Sequence, residues 1–257
     1  MNDREREYPL ETAGELPADR LTGATAPRIA VLAAWAVHLY TALGSVCGFG
    51  AVLATVQSDY RRAFLGLVVA TFIDATDGVL ARAASVKERL PRFDGARLDD
   101  IVDYLTYVFA PLFLLYQAGT LPDAWGVAVC AIVLLSSAYG FASLDAKSDD
   151  YFFTGFPSYW NVVAIYLFSA HLPAAINAAI LLGLSVLVFV RIGYVYPSRT
   201  PVLRGLTTAL GAVWALMVLA IILTMPDVPL SLLLASLFFP VYYTVLSLVL
   251  HSRRRRT

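Results

Sequence analysis

The chain is predicted to be an all-α polytopic membrane protein of about eight transmembrane helices, and three features of the sequence carry that expectation. Hydrophobic residues make up 59% of its 257 positions and charged residues only 15%, against about 25% charged in an ordinary soluble domain. Apolar runs of roughly 20 residues recur from Ile29 onwards, the length a helix needs to cross the hydrocarbon core. Those runs lack the period-2 alternation of barrel strands, so helices, which satisfy their own backbone polar groups, are expected.

Taken in order, the spans are expected at Ile29–Val56, Ala63–Arg82, Asp99–Gln117, Ala124–Ser143, Tyr159–Leu172, Pro173–Tyr194, Leu206–Leu223 and Leu230–Leu250. Residues 1–28 are expected to be a cytoplasmic arm, because Met1–Ala26 is polar and mixed in charge and holds no apolar stretch of the signal-peptide kind. Residues 29–252 read as one integral membrane catalytic domain, and 253–257 as a basic cytoplasmic tail. Gly119 and Pro122, Pro157, Pro173, Pro197 and Pro201, and Pro226 and Pro229 mark the joins, where a helix cannot easily continue.

The stretch from Tyr159 to Tyr194 is long for one span and short for two. Charge decides it. With two helices there and a cytoplasmic N-terminus, 17 of the 19 Lys and Arg residues fall inside, leaving only Arg61 and Arg62 outside. A single helix flips every later loop and gives 10 inside and 9 outside. The positive-inside rule selects the first arrangement, with both termini cytoplasmic and a break near His171-Leu172-Pro173.

Other residues carry less. Net charge is zero and points to no partner. The run Arg253–Arg256 reads as a stop signal and lipid-phosphate contact rather than a nucleic-acid site. Cys47 and Cys130 lie in apolar runs, where cysteine behaves as a small hydrophobe. His38 reads as a packing residue, and His171 and His251 have no metal-site spacing.

The unusual stretch is Asp74 to Asp103. Asp74, Asp77, Gly78, Ala81 and Arg82 lie close along one side of the second span, and Gly95, Asp99 and Asp103 form an i+4 stripe on the third. A carboxylate at membrane depth costs about 2.5–3.5 kcal/mol on the insertion scale, and converging aspartates repel one another. Arg82 and Arg97 are too few to neutralise five carboxylates, counting Asp100. A shared cation is the remedy, and all-oxygen donors favour hard ions, Mg²⁺ or Mn²⁺. Four aspartates can hold two ions, an arrangement suited to phosphoryl transfer. Gly78 leaves room for a nucleotide, and Arg82 offers a guanidinium to phosphate oxygens. The link between the spans carries Lys87, Arg89 and Arg92 and suits an amphipathic segment on an anionic leaflet. A cation carrier is the rival reading, but its carboxylates should lie near the membrane midplane and recur across spans.

The pattern Asp-x2-Asp-Gly-x2-Ala-Arg followed by Gly-x3-Asp-x3-Asp resembles the signature of the CDP-alcohol phosphotransferases at each of its eight fixed positions. That resemblance implies a core of that family's kind and a reaction in which CDP-diacylglycerol gives its phosphatidyl group to an alcohol and CMP leaves. It implies that Asp74, Asp77, Asp99 and Asp103 hold two Mn²⁺ or Mg²⁺ ions and that Asp103 is also the general base. Asp74, Gly78, Ala81 and Arg82 would bind the CDP moiety. A homodimer in a bacterial inner membrane, in contact with membrane lipids, is likewise what the resemblance implies.

One departure narrows it. The gap from Ala83 to Asp94 is twelve residues where eight is usual. That gap, the run Leu90–Tyr104 and the segment Gly155–Asn161 resemble the branch whose acceptor is choline. A quaternary ammonium has no N–H, so aromatic faces and carboxylates must bind it. The candidates are Tyr104 and Tyr107 on the third span and Tyr159 and Trp160 at the aromatic junction that begins at Asp149. Arg191 and Arg199 are candidates for lipid phosphate. Serine, inositol and glycerol phosphate are the alternative acceptors.

Overall fold

A computed structural model describes residues 28–143, 152–195 and 202–254. The expected N-terminal arm up to residue 27, the start of the aromatic junction (149–151), Arg199 and the last three residues of the basic tail lie outside the described residues.

Helices α1 (Arg28–Val56) and α2 (Tyr60–Ala83) form a hairpin. The Asp59 side chain accepts from the Arg62 backbone N–H at 3.0 Å and so caps α2. A short helix α3 (Val86–Arg89) lies in the basic link. That link packs on the start of α1. Val86 is buried, Arg89 donates to the Ala30 carbonyl at 3.1 Å, and Phe93 stacks on His38 with ring centres 4.4 Å apart. Lys87 and Arg92 stay exposed.

The third expected span begins four residues earlier than expected, at Gly95 rather than Asp99, because Asp94 caps it through the Arg97 N–H at 3.0 Å. It runs as α4 (Gly95–Asp103), a π-helical turn (Tyr104–Phe109) and α5 (Ala110–Gln117). Then follow α6 (Gly126–Ala142), strand β1 (Phe152–Thr154), α7 (Trp160–Ser169), α8 (Ala174–Phe189), strand β2 (Gly193–Val195), α9 (Arg204–Thr224), α10 (Leu230–Ser236) and α11 (Phe238–Arg254).

Every expected span corresponds to a helical segment. Among the described residues four stretches, Arg28–Val56, Tyr60–Ala83, Arg204–Thr224 and Leu230–Arg253, are long and apolar enough to cross a membrane on their own. The expected break falls in place: α7 stops at Ser169, His171 takes a left-handed φ of 49°, and Pro173 precedes α8. Helix α7 is only 10 residues long, about 15 Å or half the hydrocarbon thickness. It tolerates that because Trp160, Ala164, Ile165 and Leu167 are buried among other helices instead of facing lipid.

The packing is that of a membrane bundle. On α1, Leu32, Leu39, Val46 and Leu53 recur every seven residues and are exposed, while Ala34, Gly44, Gly48 and Ala51 on the opposite side are buried. Small residues let helices approach closely. A β-carbon on Gly44 would lie 2.6 Å from the Val102 side chain.

No strand is expected from the sequence, yet β1 and β2 pair antiparallel, with Phe153 opposite Tyr194. Each is three residues long, too short for an alternating pattern to register. Side chains of α11 complete the ribbon's hydrogen bonding. Gly193 N–H donates to His251 Nδ1 at 3.0 Å, Val195 N–H to Ser247 Oγ at 3.1 Å, and the Tyr243 hydroxyl to the Val195 carbonyl at 3.0 Å. Gly155 ends the ribbon at φ +80°, where a β-carbon would lie 2.2 Å from the Val188 carbonyl oxygen. Gly155→Ala is therefore expected to destabilise the protein by about 2 kcal/mol or more, read as a lower thermal midpoint of the detergent-solubilised protein.

Candidate active site

The aspartate stripes on α2 and α4 converge as their spacing predicts. Asp74, Asp99 and Asp103 each bring a carboxylate oxygen within 4.8 Å of the others, at half-buried positions. Asp77, one turn further along α2, is 7% exposed and accepts from the Thr41 hydroxyl of α1 at 2.7 Å. No Lys or Arg pairs with Asp77 among the described residues, although a buried carboxylate calls for a compensating charge. Arg97, an obvious partner by sequence, instead approaches Asp94 at 3.8 Å.

Gly95 has a spatial reason to be glycine. A β-carbon there would lie 2.6 Å from His38 Cε1, so its absence lets the start of α4 sit against α1. His38 is the packing residue the sequence indicated, clustered with Trp35 and Phe93. Gly78 faces space limited only by the Arg82 guanidinium, 3.4 Å from where a β-carbon would stand. Ala81 is half-buried and Arg82 exposed, at the end of α2.

The π-helical turn extends the stripe. In a regular α-helix i+4 positions drift by about 40° per step. The wider i→i+5 turn advances less per residue and offsets that drift. Tyr107, four residues past Asp103, thus still faces the carboxylates, and its hydroxyl donates to Asp74 Oδ2 at 2.7 Å.

A cavity of about 190 Å³ opens between these elements. Asp74, Asp99, Asp100 and Asp103 form one wall. Tyr107, Phe141, Phe153, Phe156 and Tyr159 form most of the other. No Lys or Arg lines it among the described residues. The aromatic side continues outward: Tyr159 lies 6.4 Å from Tyr243 of α11, which stacks on Tyr194 of β2 at 6.2 Å between ring centres.

The structure brings two of the four candidate aromatic residues to the cavity and leaves two behind it. Tyr107 and Tyr159 line it. Tyr104 turns to α6, donating to the Leu134 carbonyl at 2.9 Å. Trp160 is 1% exposed and donates from its indole N–H to Ser137 Oγ at 2.7 Å. A tryptophan at a span boundary reads by sequence as interfacial; here a buried serine satisfies its one polar atom. Phe141, Tyr243 and Thr41 join the site from elements remote in sequence and carry no local signal, whereas Phe156 stands inside the segment Gly155–Asn161, three residues from Tyr159. Arg191 is exposed between α8 and β2, away from the cavity lining.

The donor set suits a hard divalent cation. It is all oxygen, closely spaced and anionic, and it has a buried carboxylate beside it. No family model matches the chain. Its relatives are informative. Over 207 residues it is 40% identical to the phosphatidylcholine synthase of Legionella bozemanae, spanning 78% of this chain and 95% of that protein. The chain belongs to the phosphatidylcholine synthase family. The phosphatidylcholine synthase of Legionella pneumophila is 44% identical over 65% of this chain and 66% of its own length. That of Pseudomonas aeruginosa is 38% identical over 77% and 84%. As a member of the phosphatidylcholine synthase family the chain is a transferase of phospholipid biosynthesis, and the alternative of a cation carrier falls away.

Proposed function

We propose that the protein transfers the phosphatidyl group of CDP-diacylglycerol to choline at the cytoplasmic leaflet and releases CMP. One observation carries this reading: a carboxylate wall and an aromatic wall face each other across one small cavity without a basic residue among those described. A phosphorylated acceptor calls for basic side chains, whereas a quaternary ammonium calls for aromatic faces and negative charge. The cavity is smaller than the roughly 300–1,000 Å³ of drug-sized pockets, which suits a small acceptor.

Asp74, Asp77, Asp99 and Asp103 would hold two Mg²⁺ or Mn²⁺ ions, which supply neutralisation of the charge on the reacting phosphate oxygens. Arg82, at the exposed end of α2, binds the diphosphate, and Gly78 and Ala81 give the CDP moiety room against the helix. Tyr159 and Tyr107 present ring faces to the trimethylammonium group, and the carboxylate wall adds long-range attraction. The acceptor hydroxyl is thereby aimed at phosphorus. Asp103 takes the hydroxyl proton as the oxygen–phosphorus bond forms and the bond to CMP breaks. The acyl chains stay in lipid beside the apolar outer faces of the bundle, and Arg191 and Arg199 are the cations proposed to meet a lipid phosphate, on their charge alone.

Purified protein given CDP-diacylglycerol, Mn²⁺ and labelled choline is expected to form labelled lipid and one CMP per label. CMP release that does not depend on choline overturns the proposal. Tyr159→Leu is expected to raise the KM for choline about tenfold, the loss of one desolvated cation–π contact, with kcat and the KM for CDP-diacylglycerol little changed.

A further inference from the structure

The structure assigns Thr41 and Tyr107 as positioning residues that hold the two signature aspartates of α2 for metal binding. This inference rests on the metal reading given above and adds to it the residues that fix carboxylate orientation.

Each aspartate of α2 receives a hydroxyl from another element. Thr41 of α1 donates to Asp77 Oδ2, and Tyr107 of the π-helical turn donates to Asp74 Oδ2, both at 2.7 Å. Both contacts are sheltered: Thr41 and Asp77 are each 7% exposed and Tyr107 is 8% exposed. Thr41 departs from the habit of its neighbours. Thr55, Thr71 and Thr106 turn their hydroxyls back to the carbonyl four residues earlier in their own helices, the usual local bond of a helical threonine. A hydroxyl has one hydrogen, and Thr41 gives its hydrogen to Asp77 across the helix pair. The β-branched side chain has few rotamers in a helix, so the bond fixes the carboxylate plane at small entropic cost.

The chemistry of the pairing is specific. A carboxylate offers about four lone-pair positions, so one neutral donor leaves acceptor capacity for a cation. A neutral hydroxyl also does not compensate the negative charge, as an arginine would. Asp77 is thus oriented while still requiring a positive charge. Tyr107 orients Asp74 from the other side, and the π-helical turn is what carries it there. Partners of this kind, which touch the ligand and not the metal, commonly change metal affinity by about 10–100-fold.

The test is Mn²⁺ binding to the purified protein, followed by the loss of the free-ion electron paramagnetic resonance signal, alongside activity as a function of Mn²⁺. Thr41→Val is expected to weaken Mn²⁺ binding by about tenfold or more. Thr41→Ser, which keeps the hydroxyl, is expected to bind like the unaltered protein. Tyr107→Phe should weaken binding to a similar degree. In the weakened Thr41 variants the Mn²⁺ requirement rises and kcat recovers at saturating Mn²⁺. Thr41→Ala gives the same comparison with Thr41→Ser if Thr41→Val is not recovered folded. Asp77→Asn separates the two layers. If Asp77→Asn loses Mn²⁺ affinity and Thr41→Val and Thr41→Ala do not, the positioning role is overturned and the metal reading stands. If neither Asp77→Asn nor the Thr41 variants change affinity, the metal reading at Asp77 fails and takes the positioning role with it.

Discussion

Asp103→Asn is expected to lower choline-dependent CMP release by about 10²–10⁴-fold, the range lost with a general base. Asp103 belongs to the close group with Asp74 and Asp99 and also lines the cavity, so it can meet both the bound cation and the acceptor hydroxyl. Asparagine keeps the size and removes the charge. Packing therefore changes little, and a thermal midpoint near that of the unaltered protein is expected. Titration with Mn²⁺ separates the two roles. Activity that returns at high Mn²⁺ identifies a ligand alone, while activity that stays low at saturation identifies the base. Full activity in the variant contradicts both roles.

Removal of divalent cations is expected to have an effect at least as large. Chelation should depress activity by about 10³-fold or more, since ions at a phosphoryl group contribute several kcal/mol to the transition state. Added Mn²⁺ or Mg²⁺ should restore it. The physical reason is the concentration of negative charge. Four carboxylates line one wall of the cavity and Asp77 is buried behind them. A substrate diphosphate brought to that wall without cations would be repelled. Activity that survives exhaustive chelation contradicts the metal reading.

The helices and the carboxylate wall were legible because their signals are periodic and local. The i+4 spacing of Gly95, Asp99 and Asp103 needs only helical geometry, and the charge count found the break before Pro173 because lipid makes topology depend on loop charge. The aromatic wall was only half legible. Tyr107 and Tyr159 stand in suggestive segments, but Tyr104 and Trp160 share those segments and point elsewhere. Nothing in composition marks Tyr104–Phe109 as π-helical, and that turn decides which tyrosine continues the stripe. Thr41, Phe141 and Tyr243 come from helices remote in sequence, where a single chain offers no signal of contact. The β1–β2 ribbon was invisible for want of length, although it sets Phe153 into the cavity wall.

The most direct test of the proposed function is acceptor selectivity. The purified protein, with CDP-diacylglycerol and Mn²⁺, is assayed for CMP release with choline, serine, inositol and glycerol 3-phosphate. A wall of aromatic rings and carboxylates should favour choline over each alternative by about 100-fold or more in kcat/KM, equivalent to roughly 2.7 kcal/mol. Equal or faster turnover of glycerol 3-phosphate, whose phosphate the carboxylate wall should repel, would contradict it.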